Sequence, residues 1–483
     1  MAIFFVPNDP LAQADAPARQ QPPRADPPAG RAGFAYSNRP AEAPHSFGSA
    51  EFLFWQCREA ALAALESFAT LAKPLTSWQG ERRLLALVPN AGRQLNAEYD
   101  RSSLSFYEWD TPEKTTWSGA STDAVAHEVG HAILDALRPD LWDSSYTEPA
   151  AFHEAFADCF ALLVGLSDFE TRKALLHGPV LRQENFLEAV AEDVSDGVRL
   201  QAGKQDPHSE ARHAFNTFAW KIPIRLRKRA APHVLTSEPH SFSRVFTGCF
   251  YDTLCNIFDG LPGGDERALL EAATTAGKLL VAGASKPPEV ARFFQAVGRT
   301  MILADEGGRH HAAIRDGFQA HGVALGSTVM LAPTAALEGA ALAPKKHGAA
   351  NLAPATKRDL LRRLRAPAGA KLGVHTLEIA GQQVLSAVHR RFVKLGGIDA
   401  RLRGVVASAA ESVLVGSGAE ILGALPEPAA SGDEVKAFVE GLLEHRGIQL
   451  DGEVWNAFRP THAIRRRGDR KVLTRVRFSC RAG

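Results

Sequence analysis

Residues 121–139 constrain this chain more tightly than any other segment of its 483 residues. Ser121-Thr122-Asp123 can cap a helix, Val125, Val129 and Ile133 supply its apolar positions, and Pro139 prevents it from continuing far. Inside it lies His127-Glu128-Val129-Gly130-His131, an H-E-x-x-H pattern in the helical context that such a pattern requires. Histidines four apart share one helical face, roughly 6 Å apart along the axis, so two imidazole nitrogens can converge on one ion. Glu128, one residue on, can reach a water on that ion. Zinc with an open position, an acidified water and a neighbouring carboxylate together make a hydrolytic site. The bland alternative is a chance match, which should arise in roughly a few per cent of chains with this His and Glu content.

A second helix is signalled by Pro149 near its first turn, by Phe152, Phe156, Phe160 and Leu163 as apolar positions, and by Gly165 near its end. On it, Glu154 follows His131 by 23 residues and fits a third ligand. Asp158 lies four residues further on the same face and fits the acceptor that orients a ligand imidazole.

Asp123-Ala-Val-Ala-His-Glu-Val-Gly-His131 and Phe152-His-Glu-Ala-Phe-Ala-Asp158 resemble the two zinc helices of thermolysin-like metallopeptidases, the gluzincins. The resemblance implies zinc ligands His127, His131 and Glu154, general base Glu128, and Asp158 hydrogen-bonded to His127. The metzincin pattern is excluded, because Leu134 and Leu137 stand where its glycine and third histidine belong. Asn96-Ala97-Glu98-Tyr99, followed by Leu104 to Trp109, resembles the family's edge strand, which pairs with an extended substrate. By that resemblance the Asn96 side chain and the Ala97 carbonyl contact the amide-nitrogen side of the scissile bond; without it, the segment reads as an ordinary hairpin.

The stretch from His240 to Tyr251 resembles the segment bearing the histidine that stabilises the oxyanion. Leu235 replaces the carboxylate that usually precedes this histidine by five residues, so Glu238 is expected to substitute, and His208 is a rival for the role. Tyr146 is implied as a second oxyanion donor, with Trp142 competing for the alignment and aromatic packing as the bland reading. Asp123 matches a calcium ligand of the family, but Gly165 stands where a partnering carboxylate belongs. Calcium is therefore in doubt, and helix capping accounts for Asp123. The resemblance runs from Asn96 to Val323.

The expected fold class is α+β: a thermolysin-like, two-lobed metallopeptidase with a small β-containing N-terminal lobe, a helical lobe and an extra small α+β C-terminal domain. The divisions read as a disordered tail (1–48, with nine prolines between Pro7 and Pro44), an N-terminal lobe with the zinc helices (49–165), a helical lobe (166–326), a linker (327–367) and a C-terminal module (368–483). Apolar spacing from Phe52 to Leu71 predicts a helix, and Arg83 to Val88 a strand. Further helices are expected over Phe242–Phe258, Glu266–Val281, Val290–Leu303 and Ala312–Gln319. In the module, Leu372–Ile379 and Val472–Phe478 read as strands and Glu434–Glu444 as a helix.

Lys plus Arg (55) and Asp plus Glu (54) nearly cancel, so no overall field points to nucleic acid or an anionic membrane. Arg465-Arg466-Arg467-Gly468-Asp469-Arg470-Lys471, with Arg475 and Arg477 beyond it, reads as a solvated hairpin turn rather than a nucleic-acid patch. Five scattered cysteines without a C-x-x-C pair point to reduced, mostly buried thiols. The run Met1–Val6 is too short for a signal-peptide core, and Gly404–Leu425 is broken by Glu411 and Glu420, so neither export nor a membrane span is expected and the location reads as cytoplasmic. The expected partner is a peptide or protein substrate, and the expected function is zinc-dependent endopeptidase. The alternatives are an aminopeptidase-type gluzincin and a non-catalytic zinc-containing binding or scaffold protein. A cytoplasmic peptidase without a pro-region must be restrained, which points to narrow specificity or to control by the C-terminal module.

Overall fold

The structure, a computed structural model, describes residues 2–177, 181–287, 289–325, 354–364, 366–379, 382–415, 421–424, 431–450 and 460–480. It is a mixed α and β protein with several small sheets. Helix α1 (Ala50–Leu71) is capped by the Ser49 hydroxyl and buries Trp55, Leu62 and Phe68, the face that its spacing predicts. Next to it lies a five-stranded sheet built from β3 (Gly33–Ala35), β4 (Leu84–Val88), β5 (Ala97–Tyr99), β6 (Ser103–Phe106) and β18 (Phe478–Ser479), in the order β18-β5-β6-β4-β3. Strands β5 and β6 pair antiparallel across Asp100-Arg101-Ser102, in keeping with the hairpin reading. Strand β18 also pairs antiparallel with β5, closing what would otherwise be the open edge of the sheet.

The segment 1–48, expected to be disordered, is ordered from residue 2. Strands β1 (Ile3–Phe5) and β2 (Arg19–Gln21) pair antiparallel, and β3 lies parallel to β4. Composition counts only the apolar surface that a segment brings itself; it misses the polar partners that α1 offers. The Gln56 side chain brackets Val6, accepting from its N–H and donating to its carbonyl. Glu59 accepts from the Arg24 N–H, and Arg58 pairs with Asp26. Ile3, Phe5 and Val6 are thereby buried.

Helices α2 (Thr122–Leu137) and α3 (Thr147–Ser167) pack face to face at the centre. Gly130 permits the close approach, since a Cβ there would lie 2.9 Å from the Ala157 Cα. Of the described helices, α3 is long and apolar enough to cross a membrane, but 94% of its apolar window is buried inside the protein. A hairpin of β7 (Glu108–Asp110) and β8 (Thr115–Trp117) precedes α2, and helix α4 (Phe169–His177), a pair of β9 (Ala189–Val190) and β10 (Arg212–His213), and helix α5 (Glu192–Ala202) follow α3. Helices α6 (Pro239–Asp259), α7 (Glu266–Ser285), α8 (Phe293–Ala304) and α9 (His311–Ala320) then pack on α3 and on one another, close to the predicted spans. Phe152, Phe156, Phe246 and Phe293 meet in one core, each burial contributing about 1.5–3 kcal/mol.

Of the expected linker (327–367), residues 327–353 and 365 lie outside the described residues, and residues 354–363 form helix α10 (Pro354–Arg363). The C-terminal module is a seven-stranded sheet of β11 (Gly373–Ile379), β12 (Gln382–Lys394), β13 (Val405–Val415), β14 (Ile421–Ala424), β15 (Ile448–Gln449), β16 (His462–Arg467) and β17 (Arg470–Arg475), with helix α11 (Ser431–Glu444). The segment Val405–Val415, within the apolar stretch weighed as a membrane span, is the central strand β13. The arginine cluster is a hairpin turning at Gly468, as expected. Val472–Phe478 is not one strand: Val476 and Arg477 donate to the Thr461 carbonyl, and the chain leaves the module sheet to enter the other as β18. A second core joins the module to the rest through Tyr146, Ala150, Val393, Ala407, Val435 and Phe438. All five cysteines are free and buried.

Candidate metal centre

Ser121 caps α2, its hydroxyl accepting from the Ala124 N–H, and the helix carries His127, Glu128 and His131 on the face turned to α3. These three side chains are buried and offer ligand atoms within 4.8 Å of one another, a group that can hold a metal ion. From α3, Glu154 brings its Oε2 to 3.5 Å from His127 Nε2 and 3.4 Å from His131 Nε2. None of these contacts is aligned as a hydrogen bond: His127 Nε2, His131 Nε2 and Glu154 Oε2 are all buried without a hydrogen-bond partner.

The second ring nitrogens explain why. His127 Nδ1 lies 2.8 Å from the Asp158 carboxylate, which can only accept, so that nitrogen carries a proton and Nε2 is the atom left to face Glu154. His131 Nδ1 is held 2.9 Å from His153 Nδ1, again leaving Nε2 to face Glu154. Buried lone pairs on two imidazoles and a carboxylate repel one another unless a proton or a cation lies between them. The donor set, two imidazoles and a carboxylate, suits a divalent ion that accepts nitrogen and oxygen.

Electrostatics follow the same partners. Burial pulls His127 down, but Asp158 and Glu154 outweigh it and lift the imidazole to about 9. His131 has no such carboxylate on its far side, and burial takes it down to about 4. Asp158 is pushed up by burial yet held at about 2 by Arg212 and His127. Arg212, on β10, donates to both oxygens of Asp158 at 2.9–3.1 Å. Burial raises Glu128 to about 7.

His240 sits in the first turn of α6, with Nε2 3.2 Å from Glu154 Oε2. Its Nδ1 pairs with Glu238 Oε1 at 2.7 Å, so Glu238 fills the place that Leu235 leaves empty, and it also caps α6 by accepting from the Ser241 N–H. Burial lowers His240, but Glu154 and Glu238 together raise it to about 10. His208, the rival, stands edge-on to the His240 ring with centroids 5.6 Å apart. Tyr146 is engaged elsewhere: its hydroxyl donates to the Ala410 carbonyl of the C-terminal module at 3.2 Å. Trp142 donates to the Arg475 carbonyl and packs edge-on to Phe478. Asp123 accepts from the N–H groups of Ala124 and Ala191, and Gly165 lies under Leu187, where a Cβ would come within 2.5 Å of Leu187 Cδ1.

The neighbours of Asn96 and Ala97 come from the far end of the chain. Asn96 Oδ1 accepts from the Ser479 hydroxyl, and the Ala97 carbonyl accepts from the Cys480 N–H, both at 2.9 Å. His240 Nε2 donates to the Ser479 carbonyl at 2.9 Å, and the Cys480 thiol donates to Glu128 Oε1 at 3.1 Å. Phe478 stacks on His131 and His153, with ring centroids 4.5 and 3.8 Å away. Phe478, Ser479, Cys480, Arg212 and His153 therefore belong to the site, and the sequence reading passed over all five. Only His153 had a signal, its place beside Glu154. No family model and no curated protein matches this chain, so the site stands on its own geometry.

Proposed function

We propose that this protein is a zinc-dependent endopeptidase of the thermolysin-like type, with the site between a β-containing lobe and a helical lobe. The observation that carries the reading is the convergence of three orphaned buried ligand atoms, on His127, His131 and Glu154, next to a carboxylate whose Oε2 is also unpartnered, that of Glu128. A structural metal has no use for that fourth group.

His127, His131 and Glu154 would hold the zinc, which when bound polarises a peptide carbonyl and acidifies water. Asp158 and Arg212 fix the His127 ring, and His153 fixes His131, so both nitrogens stay aimed at one point. Glu128 takes the proton of the attacking water and returns it to the leaving amine, a role suited to a carboxyl that burial brings near neutral pH. His240, kept protonated by Glu238 and Glu154, donates to the oxygen on which negative charge develops. The β5 edge aligns an extended peptide, with the Ala97 carbonyl as acceptor for its N–H.

The test is mass-spectrometric cleavage of a mixed peptide library by zinc-loaded protein, next to Glu128→Gln at equal zinc content. Because β18 lies along β5, Phe478→Ala is assayed in parallel. Loss of the base should lower cleavage by roughly 100- to 10,000-fold. Failure to take up zinc, or products unaffected by Glu128→Gln, would overturn the reading, as would the absence of cleavage from both the wild type and Phe478→Ala.

A further inference from the structure

We propose that β18 and Cys480 form a built-in inhibitor that occupies the peptide groove in the register of a substrate, keeping the enzyme latent until the C-terminal segment is displaced. The inference rests on the peptidase reading and names its regulation. Four contacts converge. Phe478 and Ser479 pair antiparallel with Tyr99 and Glu98, taking the sheet edge that an extended substrate would use. The Ser479 carbonyl faces His240 Nε2, and the next amide, that of Cys480, donates to the Ala97 carbonyl. The peptide bond Ser479–Cys480 thus lies between the oxyanion donor and the amide acceptor, as a scissile bond would.

Two features make this strand a blocker. The Cys480 thiol donates to Glu128 Oε1, the carboxylate that must receive a proton from water. The Phe478 ring covers His131 and His153, and the Arg475 guanidinium lies over the Phe478 ring, 4.1 Å from its centroid.

The strand is held from both sides. On the module side Val476 and Arg477 donate to the Thr461 carbonyl; on the other, Arg477 pairs with Glu98 at 2.8 Å and Trp142 donates to the Arg475 carbonyl. Further out, Lys228 donates to the Ala437 carbonyl, Arg390 pairs with Glu289, and Tyr146, the second expected oxyanion donor, is committed to Ala410. Displacing the module would release the groove, Glu128 and Tyr146 together. A tethered strand acts at an effective concentration in the millimolar range, so a free peptide of ordinary affinity cannot compete with it.

The experiment uses the full chain, metal-free for binding and zinc-loaded for cleavage. The binding probe is a fluorescein-labelled peptide with the sequence of residues 472–480, followed by anisotropy. Phe478→Ala is expected to bind it at least tenfold more tightly than the wild type. Cys480→Ala, which removes only a thiol, guards against misfolding of the first variant and should cleave library peptides at least threefold faster than the wild type. Equal probe binding by the wild type and Phe478→Ala, with equal cleavage by the wild type and Cys480→Ala, overturns the inference. Tighter binding without cleavage in any variant supports the occupied groove and defeats the peptidase reading. Intact-mass measurement gives the remaining outcome: Glu128-dependent loss of residues 480–483 on zinc addition would mean that the strand is cut rather than held, which overturns latency and upholds the peptidase.

Discussion

Gly130→Ala should destabilise the protein and loosen its metal site, although alanine is the better helix former. In a free helix the change is worth about 0.8–1.0 kcal/mol in favour of alanine. Here the new Cβ would stand 2.9 Å from the Ala157 Cα and 3.4 Å from the Phe160 Cβ, and ordinary contact begins at 3.4 Å. The first atom is backbone, so α2 and α3 must part by about 0.5 Å, a strain of the size that costs ~1–3 kcal/mol in packed cores. The net loss expected is up to ~2 kcal/mol in urea unfolding of the metal-free protein. Because ligand distances tolerate only about 0.2 Å, parting the helix that carries His127 and His131 from the one that carries Glu154 should weaken zinc binding at least tenfold against a chelating dye. Gly441→Ala, in α11, is the control: its Cβ would meet only the Lys228 side chain at 3.7 Å, so propensity should prevail and stability rise. A Gly130→Ala protein that is more stable than wild type and binds zinc equally well would refute the reasoning.

Asp158→Asn keeps the shape but removes the charge that fixes the His127 tautomer, and zinc affinity should fall about 10- to 100-fold with little change in fold, as read by dye competition and circular dichroism. Arg212→Met leaves Asp158 buried with only His127 as a partner and should cost about 3–5 kcal/mol in urea unfolding of the metal-free protein; a loss under 1 kcal/mol would show that Arg212 is dispensable. Asp9 is buried, its Oδ2 has no partner, and burial and then Asp123 hold its carboxyl well above the ordinary value. The folded state therefore binds this proton more tightly than the unfolded chain, so Asp9 supports stability at low pH and that support is lost as pH rises through the raised value. Asp9→Asn should be more stable than wild type at pH 8 by about 1–3 kcal/mol, the cost of an unsatisfied buried group, with the advantage gone at pH 4. A variant less stable than wild type at pH 8 would mean that these carboxylates hold a cation.

Elements that announce themselves by caps and periodicity were legible from the chain alone. Helices α1, α2, α3 and α6 to α9 lie close to the predicted spans, because a 3.6-residue repeat can present only one face to a core and, in α2, Ser121 satisfies a first N–H group. The ordered N-terminal segment was illegible because its partners, Gln56, Arg58 and Glu59, are polar residues that look solvent-facing in a helical pattern. The break in Val472–Phe478 was illegible because alternation cannot say which of two sheets a strand joins.

The candidate site divides along the same line. The sequence by itself determined that His127, Glu128 and His131 share a helical face, because their spacing is fixed by the helix repeat, and it marked Glu154 and Asp158 on a second helix by the same rule. Only the tertiary structure decided that Arg212 clamps Asp158 and that Cys480 donates to Glu128 across 352 positions of sequence. Helical geometry reaches about one turn along the chain. Contacts between distant segments depend on how sheets and helices close around a shared core, and no local pattern encodes that closure.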